Sequence, residues 1–111
     1  MIAACWTARS ASASVTRASG PDAIADAAAA RGVPLTLCGE MAGRPLEALA
    51  LLALGFRRLS MAPNSVGPVK DMLRSADIGV VAAYLRSLLH LPDRSLRGRL
   101  AAFARDRGIA L

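Results

Sequence analysis

The chain has 111 residues, 11.5 kDa, and 14 basic residues, all but one arginine, against 8 acids; the formal net charge is +6. That length holds one small domain and excludes two independent cores or a closed eight-stranded α/β barrel, which needs about 200–250 residues. Hydrophobic residues make up 54%, too many for a wholly disordered tail, and no apolar run approaches the roughly 20 residues of a membrane-spanning helix.

Residues 1–20 are rich in Ala and Ser, carry two arginines and no acid, and show no sustained period. They are expected to form a disordered leader outside the domain that follows. Cys5 and Trp6 fall in it and carry no readable chemistry. Pro21 and Asp22 open an alanine-rich helix that Arg31-Gly32 closes, with Gly32 just past its end. Val33–Cys38 (VPLTLC) then reads as a short strand, with Pro34 tolerable only at its beginning. Pro45 at a first helical position starts LEALALLAL, a run apolar nearly all round and so predicted to be buried; Gly55 stops it. Phe56–Met61 (FRRLSM) is the second predicted strand. Asn64-Ser65 is expected to cap the next helix, which carries Val66, Val69 and Leu73 on one face.

The remainder reads as helical. Ile78, Val81, Ala82, Leu85, Leu88 and Leu89 form an amphipathic stripe, and Pro92-Asp93 breaks it. Leu96, Leu100 and Phe103 make a last helical face ended by Gly108, opposite Arg97, Arg99 and Arg105. Helix and strand alternating through short loops is the pattern of a parallel α/β sheet.

In such sheets chemistry sits at the carboxyl ends of the strands. There lies Cys38-Gly39-Glu40-Met41-Ala42-Gly43. A cysteine at this position is a nucleophile if its thiolate is stabilised, a proton donor if it stays a thiol, or a small apolar residue at a buried strand end. The single histidine, His90, belongs to a distant helix, so proton donation is the easier chemical role to support. Gly39 and Gly43 are expected to let the backbone turn tightly beside a ligand. With two cysteines, no CxxC and no cluster with histidine, neither a disulfide framework nor a zinc site is supported. A reducing cytoplasm fits that usage.

Leu37–Gly43, Leu54-Gly55-Phe56, Leu59–Pro63 and Val69-Lys70 together resemble the C-terminal end of enzyme I, the phosphoenolpyruvate–protein phosphotransferases of the bacterial phosphotransferase system. These belong to the PEP-utilising enzymes. The resemblance runs from about Ala23 to Ser75, and the helical extension 76–111 is most similar to the nitrogen-related branch; residues 1–20 match nothing in the family. It implies a PEP-binding (β/α)8 barrel of which residues 21–75 supply the last two β/α units, followed by a two-helix extension: an incomplete barrel. It also implies phosphoryl transfer from PEP to a protein histidine and on to a phosphocarrier protein, with Cys38 protonating the enolpyruvate left behind. The family's Mg²⁺ ligands and PEP-binding arginines lie on segments absent here. The resemblance gives Glu40 no metal role, only a structural contact, and loop or cap duties are expected for Ser60 and Asn64. Arg44 departs from the family's usual Asp and forfeits an N-cap.

The resemblance therefore implies a C-terminal fragment of such an enzyme, inactive alone, with open sheet edges and an all-apolar helix left unburied; coding sequence for the missing strands immediately upstream would mark a truncated or frameshifted gene. The family's barrel is also its dimerisation domain, so the Ile78–Leu89 stripe is a candidate homodimer face, or else packs on the barrel's own helices. The alternative is a small basic interaction module whose Arg97, Arg99 and Arg105 face binds a polyanion or a partner protein. Nucleic acid is not the expected partner, because arginine-rich usage alone carries little information.

Overall fold

The computed structural model describes residues 21–89 and 96–111. The leader, with Cys5 and Trp6, and the residues His90, Pro92 and Asp93 lie outside the described residues. The elements in order are α1 (Pro21–Ala30), β1 (Thr36–Cys38), a 3-10 turn (Glu40–Gly43), α2 (Pro45–Ala53), β2 (Arg58–Ser60), α3 (Pro63–Ser75), α4 (Ile78–Leu89) and α5 (Leu96–Asp106). The chain is thus α/β, mostly helical, with β1 and β2 paired in parallel as Thr36↔Arg58, Leu37↔Leu59 and Cys38↔Ser60.

Both strands are shorter than the six-residue runs predicted from sequence, for one shared reason. After α1, Gly32 (φ 64°) lets its own N–H donate to Ala29 and lets Val33 N–H donate to Ala28, at 3.2 and 2.9 Å. After α2, Gly55 (φ 108°) does the same: Gly55 N–H reaches Leu52 and Phe56 N–H reaches Leu51, both at 3.1 Å. The first residue of each predicted strand is therefore spent closing the preceding helix. Phe56 also turns inward, buried with Ala25 and Leu51. That small cluster holds α1 and the sheet to α2.

The larger core lies on the other side of α2. Ala48, Leu49 and Ala53 of α2 meet Val69 and Met72 of α3, Val81 and Leu85 of α4, and Leu100 and Ala104 of α5. Leu49, Met72 and Val81 are the largest fully buried side chains. Helix α2 is apolar all round because it is sandwiched between the sheet and α4; the expectation that one of its faces stays unburied is corrected. The Ile78–Leu89 stripe is likewise used inside the chain, since Val81, Leu85 and Leu88 are buried.

Helix α3 differs from its predicted form. It begins at Pro63 with Ala62 as N-cap and no side-chain cap bond, so Asn64 and Ser65 sit inside its first turn and cap nothing. Its buried face is Val69 and Met72, while Val66 and Leu73 remain 38% exposed. Helix α4 has a cap that the apolar stripe alone does not signal: Asp77 Oδ1 accepts from Gly79 N–H and Val80 N–H at 2.9 and 3.2 Å. The C-terminal tail is tied back where Ser75 Oγ accepts from Ala110 N–H at 2.9 Å.

Candidate functional site

Cys38 ends β1 on the same rung as Ser60, which ends β2. Partner residues of a parallel ladder present their side chains on one face, so thiol and hydroxyl emerge together at the carboxyl end of the sheet. Cys38 is a free, half-buried cysteine. The ladder runs one bond further, from Gly39 N–H to the Ser60 carbonyl at 3.3 Å. Gly39 then takes φ 126°, ψ −176°, a region essentially restricted to glycine, and sends the chain into the 3-10 turn.

That turn is closed by Ala42 N–H donating to the Gly39 carbonyl at 3.2 Å and Arg44 N–H to the Met41 carbonyl at 3.4 Å. Ala42 is fully buried and anchors it, while Met41 is 52% exposed. Glu40 points to solvent with its side chain 94% exposed, 3.8 Å from the Arg44 guanidinium. It makes only this surface pair. Arg44 is the N-cap of α2, extended at φ −99°, and makes no side-chain cap bond.

Nothing described around Cys38 gathers metal ligands. Among the described residues no three His, Cys, Asp or Glu side chains are close enough to hold an ion. The described residues therefore offer no ligand cluster for the Mg²⁺ that the resemblance implies.

Two further surfaces bear on function. An open groove of about 470 Å³ lies among β2, α3 and the end of α2. Leu52, Leu59, Val66 and Leu73 line it, with Arg57 and Lys70; Arg57 Nη1 donates to the Leu52 carbonyl at 2.8 Å. On α5, the arginine face is partly engaged within the chain. Arg97 pairs with Glu47 of α2; beyond the end of α5 and outside that face, Arg107 lies 5.1 Å over the Phe103 ring, itself stacked on Tyr84 at 4.0 Å. The groove had no signal in the sequence, because Val66 and Leu73 read there as core.

The arrangement defines a class first: an α/β unit with a thiol and a hydroxyl at the carboxyl ends of neighbouring parallel strands. The family described as PEP-utilising enzyme, PEP-binding domain, matches residues 8–78, and the chain belongs to it. That match begins inside the 1–20 segment. Two relatives named phosphoenolpyruvate-dependent phosphotransferase system, from Salmonella typhimurium and Escherichia coli, are each 40% identical over 87 residues, covering 78% of this chain and 12% of their own length. A phosphoenolpyruvate-protein phosphotransferase of Borreliella burgdorferi is 36% identical over 55 residues, 50% of this chain and 10% of its own. No solved structure matches. No described helix is long and apolar enough to cross a membrane.

Proposed function

We propose that the chain forms the C-terminal end of the PEP-binding domain of a phosphoenolpyruvate–protein phosphotransferase, in which Cys38 protonates enolpyruvate. Once the phosphoryl group has left PEP for a protein histidine, an enolate remains. Its methylene carbon takes the thiol proton: a C–H bond forms, the S–H bond breaks, pyruvate results, and solvent later restores the thiol. Carrying this reading is the placement of Cys38, half-buried at a strand end, on a turn held to the sheet by the Gly39–Ser60 bond. A proton donor must come within hydrogen-bond reach of the atom it protonates, so a half-buried thiol suits the role better than a fully buried one.

The reading assigns PEP's phosphate and carboxylate, and the Mg²⁺, to segments outside these residues, and makes β1 and β2 neighbouring strands of a (β/α)8 barrel. Support comes from the parallel pairing through α2 and from the open, largely apolar groove among β2, α3 and α2, a surface that suits an adjoining element better than solvent. A histidine phosphocarrier as second partner follows from the resemblance; the relatives' names supply phosphoenolpyruvate and a phosphotransferase system.

The test is a chimera in which this chain replaces the matching end of the Salmonella typhimurium relative. Pyruvate release from PEP is followed with lactate dehydrogenase, phosphocarrier present. Cys38→Ala should lower turnover by about 10²–10⁴-fold; an unchanged rate removes Cys38 from the chemistry. The isolated chain should give no pyruvate, and steady turnover by it would overturn the fragment reading.

A further inference from the structure

The two glycines that flank the turn after Cys38 are required for different reasons. Gly39 has a positive φ, yet a Cβ built there meets nothing within 4 Å. Gly43 has no positive φ, so its backbone suits any residue. A Cβ at Gly43, however, would lie 2.8 Å from Ser65 Oγ, 3.0 Å from Ser65 Cβ and 3.6 Å from Met61 Cβ. The first distance is shorter than real contacts allow and the second is tighter than nearly all of them; the hydroxyl can rotate away, but Ser65 Cβ sits on the first turn of α3, where it does not swing aside.

We infer that Gly43 is a positioning residue for the Cys38 thiol: its missing side chain lets the 3-10 turn close onto Ser65 at the start of α3. The turn is then held at both ends. At its beginning the Gly39–Ser60 hydrogen bond fixes it to the end of β2. At its end the Gly43–Ser65 approach fixes it to the helix that β2 leads into, with Ala42 buried between. Both anchors lie within six residues of Cys38 and bear on the same β2–α3 junction. Adding one methyl group at Gly43 lifts the far end of the turn, and the displacement runs back through four residues to the thiol. The catalytic part of this inference rests on the proton-donor reading above; the geometric part does not.

The experiment measures alkylation of Cys38 by iodoacetamide, read by intact mass, in the full chain with Cys5→Ser. Gly43→Ala should change the rate several-fold, because overpacking by one methyl group forces the backbone of the turn to shift. Ser65→Gly alone, which removes both obstructing atoms, should leave the rate unchanged, and adding it to Gly43→Ala should restore the original rate. Gly39→Ala, whose penalty is conformational, should change the rate with no rescue by Ser65→Gly. An unchanged rate in Gly43→Ala, a failed rescue of it, or a rescue of Gly39→Ala would each overturn the inference. If Gly43→Ala unfolds the chain, the rescue still decides. In the chimera, Gly43→Ala should lower kcat at unaltered KM for PEP, again restored by Ser65→Gly; a change confined to KM overturns the positioning role. Loss of the Cys38→Ala effect would sink the proton-donor reading and leave the alkylation result standing.

Discussion

Helix α2 has two neighbours of unlike character. On one side it meets the sheet and α1 through Leu51, which among the described residues shares a buried cluster with Ala25 and Phe56, lined by the partly buried Leu35, Leu37, Leu54 and Leu59. On the other it meets α3, α4 and α5 through Ala48, Leu49 and Ala53, within a cluster of ten buried residues. The thiol ends β1, whose Leu37 packs on the thinner cluster, whereas the open groove borders the larger one through Val69, Leu59 and Met61; the helical extension adds Val81, Leu85, Leu100, Ala104 and Ile109 to that larger cluster. Apolar burial at about 25 cal/mol per Å² is what holds a small fold together, so the stability of this chain and its chemistry are housed in different regions. A strand-end site gains from that division, because a turn that must admit a ligand does not also have to carry the core.

The sharpest way to break this comparison is to remove one side. A chain ending at residue 77 lacks α4 and α5 and uncovers Leu49 and Ala53. It should lose cooperative unfolding in urea, followed by circular dichroism. A sharp transition retained by the truncated chain would place the core on the sheet side instead.

Within the intact chain, Leu49→Ala should cost about 2–5 kcal/mol, the range for a leucine deleted from a closed core. Leu73→Ala, on the groove wall and 38% exposed, should cost under about 1 kcal/mol. Urea midpoints compare the two directly. Equal costs would show that the groove is packed as tightly as the α2–α4 face and would weaken its use as a surface for further barrel elements.

How far this division is legible in the sequence depends on the kind of signal. Glycine stops are local: Gly32, Gly55 and Gly108 each close a helix at a positive φ, and each is readable from the residue and its neighbours. So is Pro45 opening α2. The motif around Cys38 is also local, and its strand-end position follows from the alternation of elements. The covering of α2 by α4 is not local. Two apolar faces separated by some thirty residues match because of tertiary packing, and the stripe from Ile78 reads equally well as an external face. The same limit hides the buried side of α3, where Val69 and Met72 enter the core while Val66 and Leu73, on the face shared with Val69, line the groove, since which flank of a helix is covered depends on elements that only the fold places beside it. The Gly43–Ser65 approach is invisible for the same reason: it joins residues on two elements that only the fold brings together.

The smallest expected effect sets one N-cap from each region against the other. Helix α4, on the well-packed side, is capped by Asp77 through two backbone N–H groups. Helix α2 starts at Arg44, which offers no acceptor and brings a cation to the positive end of the helix dipole. Asp77→Ala should therefore cost about 0.5–2 kcal/mol, whereas Arg44→Asp should gain about 1 kcal/mol. The gain is net of the Glu40–Arg44 pair, which is mostly exposed and so contributes little. Thermal midpoints of both variants, read on the whole chain, should move in opposite directions. If Arg44→Asp instead lowers the midpoint, Arg44 is held at this site by an interaction beyond the exposed Glu40 pair, and the turn carrying Cys38 is more tightly organised than the thin side of α2 implies.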